Sequence, residues 1–112
     1  GGTAAKDLNR STMVVETNTK YLNEVKEGEK VNVNLTYFDH DKKRLHLKME
    51  MISQKTNKIS ASMEWISLYI DLGKRKVTEF EEEKVKLMRD FIEQNKSKFS
   101  NEGLLFTSKL KK

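Results

Sequence analysis

Alternation between apolar and polar side chains governs the chain from Thr12 to Leu72, in four segments separated by short charged or polar turns. In KVNVNLTYF, Val31, Val33, Leu35 and Tyr37 fall on one side and Asn32, Asn34 and Thr36 on the other, because successive strand side chains point to opposite faces. One face of that strand is therefore expected to meet the core. RLHLKMEMI repeats the rule, with Leu45, Leu47, Met49 and Met51 opposed to Arg44, His46, Lys48 and Glu50. MVVETNTKYL is rich in β-branched residues with a mixed alternation. KISASMEWISLYIDL is the longest and most apolar segment, and its continuous run WISLYI has the pattern of a strand buried on both faces for part of its length. The connections EVKEGEK, DHDKK and SQKTNK are of hairpin length, so the pattern predicts an antiparallel meander.

After Gly73 the period changes. Thr78 is the predicted N-cap of a helix whose first turns carry Glu79, Glu81, Glu82 and Glu83, where the helix dipole favours acids. Phe80, Val85, Leu87, Met88, Phe91 and Ile92 form its apolar side, and it is expected to end near Asn95. Residues 1–11 read as a loop or the last turn of a helix, residues 12–98 as the domain, and residues 99–112 as a basic tail. Within that tail Leu104, Leu105 and Phe106 need a surface to pack against. A single helix covers only part of one sheet face, which calls for a second copy of the chain or a further segment to cover the rest.

Composition bounds the reading. At 112 residues, 36% hydrophobic and 35% charged, the chain suits one domain with a modest core. It has no cysteine, which excludes disulfides, thiolate nucleophiles and cysteine-bound zinc. No apolar run approaches the ~20 residues of a membrane span, and GGTAAKDLNR lacks a secretory core, so a soluble, cytoplasmic protein is expected. The net charge of +5 resides mainly near the end: residues 1–73 carry 11 basic and 10 acidic side chains, residues 74–112 carry 11 and 7. A small basic nucleic-acid-binding β protein would interleave aromatic and basic side chains, and Tyr37, Phe38, Trp65 and Tyr69 lack that spacing, so nucleic acid is not the expected partner.

No nucleophile elbow, glycine-rich phosphate loop or dinucleotide fingerprint is present. His40 and His46 have no second ligand at metal-binding spacing, so no metal is expected. What remains for acid/base or nucleophilic work is the strand carboxylates Glu16, Glu50 and Glu64, any of which could act on water or on an acyl carbon if held beside it. Lys42, Lys43 and Arg44 at one strand end, and Lys74, Arg75 and Lys76 at another, could grip phosphates, as a cofactor such as coenzyme A would require, although solvated turns are the commoner explanation of such clusters.

The run VVETNTKYLNEVKEGEKVNVNLTYFDHDKKRLHLKMEM, followed by ISASMEWISLYIDLGKRKVTEF, resembles the sheet of the hotdog-fold acyl-CoA thioesterases, in the thioesterase-like branch of the 4-hydroxybenzoyl-CoA thioesterase superfamily. The resemblance covers roughly residues 12–98, and ETNTKYLNEVKEGEKV and DHDKKRLHL are its more specific stretches. It implies an α+β chain, with a hotdog-like antiparallel sheet, a C-terminal helix and pairing into a homodimer or higher homo-oligomer. It also implies hydrolysis of an acyl-CoA thioester, with coenzyme A as part of the substrate and no separate cofactor. Glu16 and Asn18 would line the pocket, and Lys43, Arg44, Lys74 and Arg75 would bind the coenzyme A portion. The family's fold begins with a strand and turn bearing an Asp and a His-x-Asn pattern, then a central helix. Only Gly1 to Ser11 precede the matching stretch here, so the central helix is expected to be absent or truncated and the acid of that segment has no counterpart. A non-catalytic acyl-CoA-binding or assembly member of the same fold is the alternative.

Overall fold

The structure, a computed structural model, describes residues 9–98 and 100–112. Among these residues it is an α+β fold: β1 (Arg10–Tyr21), β2 (Val31–His40), β3 (Arg44–Ser53), β4 (Ile59–Asp71), a short β5 (Lys76–Val77) and a helix, α1 (Glu82–Asn95), with 3₁₀ turns at Lys96–Lys98 and Thr107–Lys109. Of the expected loop or helix remnant over residues 1–11, residues 1–8 lie outside the described residues, and so does any central helix. Arg10 and Ser11 already belong to β1.

All strand pairs are antiparallel, in the order β1-β4-β3-β2, with β5 on the end of β4. β2, β3 and β4 form the predicted hairpins. β1 departs from the meander: it pairs with β4 instead of β2. The segment after β1 is drawn across the end of the sheet, where the Leu22 and Asn23 amides both donate to the Ser60 carbonyl and Gln54 N donates to Lys30 O. This crossing places β4, the most apolar strand, between two neighbours, where both of its faces can be covered. Glu64, Ile66, Ser67 and Tyr69 are buried accordingly, as the run WISLYI predicts.

The register assigns the faces. Leu35, Met49 and Met63 lie in one row across β2, β3 and β4, and Thr36, Lys48 and Glu64 in the next. The first row belongs to the apolar face, the second to the polar one. α1 packs on the apolar face at the Tyr37 end, where Phe91 meets Tyr37 edge-on at 5.7 Å and Ile92 is buried. Phe80 stacks on Tyr69 at 4.5 Å.

The helix begins later than predicted. Glu81, not Thr78, is its N-cap residue, and no side chain caps it. Thr78 N donates to Tyr69 O and Phe80 N to Lys42 O, so these amides continue sheet-like pairing and are unavailable to a helical turn. The expectation that the apolar face of β2 meets the core fails in the middle of the strand, whereas Val31 and Tyr37 are half-buried. Val33 and Leu35 are 56% and 51% exposed, because α1 does not reach that part of the sheet.

The polar face carries the larger surprise. Residues 104–112 run across it as a strap: Leu105 N and Phe106 N donate to Glu64, Lys111 N donates to Asp41, and Lys109 and Lys112 pair with Glu16 and Asp39. The basic tail is thus tied to the sheet through its backbone amides.

Candidate functional site

Beneath the strap, His46 Nε2 lies 2.6 Å from Glu64 Oε2, and the two residues are only 1% and 3% exposed. Burial opposes the charge on Glu64, but the Leu105 and Phe106 amides, both at 2.9 Å, and His46 outweigh it and hold its pKa below the ordinary 4.5. With Glu64 ionised, Nε2 is the protonated nitrogen of the ring. Asp41 repeats the arrangement in the β2–β3 turn: Oδ1 accepts from Lys43 N and Arg44 N, and Oδ2 from Arg44 Nη1 and Lys111 N. Burial works against its charge, yet these donors hold its pKa below the ordinary 3.8. Both carboxylates spend their lone pairs on the fold, which leaves Glu64 unsuited to attack a substrate.

Glu16 and Asn18 lie on β1, on the same face as Glu64, with Asn18 in register with Glu64 and Glu16 with Ile66. The side chain of Glu16 is 44% exposed and is paired with Lys109 at 3.5 Å. Asn18 is half-buried. Glu50 is ion-paired with Lys48 at 3.6 Å. Of the strand carboxylates singled out in the sequence, Glu16 therefore combines accessibility with a polar, half-buried neighbour.

The basic residues gather at one end of the sheet. Arg44 is in register with Leu68 and Tyr69 N donates to Lys43 O, while β4 runs on to Asp71 before the turn that holds Lys74 and Arg75. Lys43, Lys74 and Arg75 are exposed, whereas Arg44 is half-buried and tied to Asp41. Lys74 N donates to Asp71 Oδ1, the largest of the influences that hold the Asp71 pKa below its ordinary value.

One cluster at this end has no counterpart in the sequence reading. Tyr69 Oη donates to Glu81 Oε1 at 2.6 Å and accepts from Lys84 Nζ at 2.9 Å, while Arg10 bridges Glu81 and Asp71 at 3.2 and 3.1 Å. Burial first, and then the bond to Glu81, push the Tyr69 phenol up. These residues come from three separate segments, so no local spacing could have assembled them. The network fastens the start of α1 to β1 and β4. Among the described residues no group of three or more His, Asp or Glu could hold a metal ion, and no helix is long and apolar enough to cross a membrane.

The sequence profile of the thioesterase-like superfamily matches residues 2–92. No curated protein gives a significant match. Among solved structures, SAV2348 of Staphylococcus aureus in complex with CoA is similar to this chain with a TM-score of 0.71 and 24% identity, over 83% of this chain and 58% of that one. A candidate thioesterase of Pseudomonas putida KT2440 matches with a TM-score of 0.71 and 26% identity, over 85% and 61%. The DHNA-CoA thioesterase of Staphylococcus aureus matches with a TM-score of 0.70 and 13% identity, over 86% and 65%. The chain thus spans about three fifths of the length of the first two. These likenesses bear out the expected hotdog-like sheet with its C-terminal helix.

Proposed function

Because the chain belongs to the thioesterase-like superfamily, we propose that it acts on acyl-CoA thioesters and hydrolyses them with Glu16 as general base. The observation that carries this reading is the placement of Glu16: an accessible carboxylate on β1 beside half-buried Asn18, on the same sheet as a basic end. Glu16 would take a proton from the attacking water, whose oxygen bonds to the acyl carbon as the C–S bond breaks and the proton passes to the departing coenzyme A thiolate, and the Asn18 amide would donate to the thioester oxygen as charge develops there. Lys43, Arg44, Lys74 and Arg75 would hold the phosphates. From Ile66, level with Glu16, to Asp71 is about 17 Å at ~3.4 Å per strand residue, the length scale of an extended pantetheine arm. A cytoplasmic site of action goes with this substrate class.

The assembly is part of the proposal. The outer edge of β1 has no strand partner among the described residues, and Met13, Val14 and Val15 on it are 51%, 51% and 42% exposed. A second copy pairing along this edge would extend the sheet and bring two Glu16 side chains to one interface.

A second reading is favoured by the Glu16–Lys109 ion pair, which occupies the base. In that reading the protein binds acyl-CoA without cleaving it. A thiol-release assay over a panel of acyl-CoAs, run beside a thermal-shift titration with coenzyme A, separates the two. Turnover supports hydrolysis; a coenzyme A-dependent rise in Tm without turnover supports the binder; neither response sinks both.

A further inference from the structure

We infer that the two hairpin turns at the basic end of the sheet dock the protein on an anionic lipid surface, through Lys42, Lys43, Lys74, Arg75 and Lys76, with Leu72 as the apolar contact. The inference goes beyond the acyl-CoA reading and does not depend on it. Lys43 lies level with Tyr69, whose amide donates to the Lys43 carbonyl, and the β4–β5 turn begins two residues farther along β4, at Asp71. At ~3.4 Å per strand residue the two turns are offset by about 7 Å, a distance that extended lysine side chains span. Both turns can therefore meet one surface.

What sets these turns apart is where their acids go. Each turn is headed by one carboxylate, and both are buried and bonded inward. Asp41 accepts from the Lys43, Arg44 and Lys111 amides and from the Arg44 guanidinium; Asp71 accepts from the Lys74 amide and pairs with Arg10 at 3.1 Å. The acids shape the turns and leave the cations unneutralised. All five basic side chains are exposed, and none makes a hydrogen bond or ion pair among the described residues. Arg75 also holds φ at +53°, a region that favours glycine, so a charged side chain stands where a Cβ is costly. Glu79 and Glu82, which share an open depression with Lys42, mark the edge of the patch toward α1. Unpaired cations on projecting turns fit a layer of mobile anionic headgroups, which rearrange to meet each charge and need no shaped counterpart. Leu72, 47% exposed, adds an apolar side chain among them, and interfacial binding combines buried apolar area with attraction to anionic lipid. Single-stranded nucleic acid would call for aromatic side chains between the cations, and neither turn carries one.

The test is flotation of the full chain with two kinds of vesicle, phosphatidylcholine alone and an equal mixture of phosphatidylcholine and phosphatidylglycerol. The expected result is binding to the mixed vesicles only, weakening as salt is raised. Lys42→Ala and Lys76→Ala, outside the proposed coenzyme A contacts, each weaken it about fivefold, and Leu72→Ser weakens it with the charge unchanged. Lys55→Ala, in the β3–β4 turn at the opposite end of the sheet, removes the same charge and leaves binding as in wild type. Equal binding to both vesicles, or binding to neither, overturns the inference. So does an equal loss in Lys55→Ala, which would show that net charge and not the two turns is at work. A single-stranded oligonucleotide bound more tightly than the mixed vesicles, with the same dependence on Lys42 and Lys76, would assign the patch to nucleic acid instead. No arm reads turnover, so this inference and the thioester reading fail separately.

Discussion

His46 and Glu64 meet across β3 and β4 with 2.6 Å between Nε2 and Oε2, and the strap amides of Leu105 and Phe106 close over the carboxylate from the other side. Strand alternation places both residues on a polar face open to water. In the folded chain the pair lies in an interior instead, with the Glu64 carboxylate bonded to His46 and to two strap amides. Such an interior tolerates the loss of a partner poorly.

Glu64→Ala is therefore expected to destabilise the chain by about 3 kcal/mol, since it strands His46 and two amides in a buried site. Glu64→Gln, which keeps an acceptor, costs about 1 kcal/mol. Urea unfolding followed by the fluorescence of Trp65, the single tryptophan, measures both. Equal midpoints for wild type and Glu64→Ala would show that the pair contributes nothing.

Acid should act through the same groups. The pKa values of Glu64 and Asp41 are depressed in the folded chain from ordinary values of 4.5 and 3.8. Their contribution is fully present above those ordinary values and is lost as pH falls through the lower folded-state ones. Urea midpoints taken from neutrality into the acid range should drop below pH 4.5 for wild type and fall less steeply for Glu64→Gln. Parallel curves for the two proteins would exclude Glu64 as a source of acid sensitivity.

Glu16→Gln tests the proposed base. Turnover of a cleaved acyl-CoA should fall by about 10²- to 10⁴-fold, while stability stays within ~0.5 kcal/mol because the side chain is exposed. Lys109→Ala frees the carboxylate and should leave turnover equal or higher. Undiminished turnover in Glu16→Gln assigns the chemistry to another residue.

The basic end should affect binding and not chemistry. Lys43→Ala and Lys74→Ala are each expected to raise KM for acyl-CoA several-fold, to weaken its salt dependence and to leave kcat unchanged. Arg44→Ala is a poorer probe, because its guanidinium also braces Asp41. A fall in kcat with constant KM would place these lysines outside the phosphate site.

For the assembly, a charge on the β1 edge is the direct probe. Val15→Lys should convert a dimer to a monomer in size-exclusion chromatography with light scattering. Where Glu16 needs the paired edge, turnover is lost with the dimer. An unchanged oligomer would move the interface off β1.

Strands were legible in the sequence wherever one face is apolar, as in Leu45 to Met51, because alternation is a local property of the chain. The partner of β1 was not legible, since pairing with β4 is decided by how the loop from Leu22 crosses the sheet end. The start of α1 shifted for a comparable reason: the Phe80 amide is claimed by Lys42, thirty-eight positions earlier in the chain. His46 looked like a solvated residue because charge patterns reveal side chains, while the strap that buries it works through backbone amides. Glu16 was singled out as a strand carboxylate and Asn18 through the family resemblance alone.

The strap also sets an order of events during synthesis. Glu64 is made 41 and 42 residues before the two amides that complete its shell, so the sheet emerges with a buried-to-be carboxylate still open to water. Closing of that face waits for the last stretch of the described chain to leave the ribosome. A chain released before Leu105 would thus present a polar sheet face without its cover.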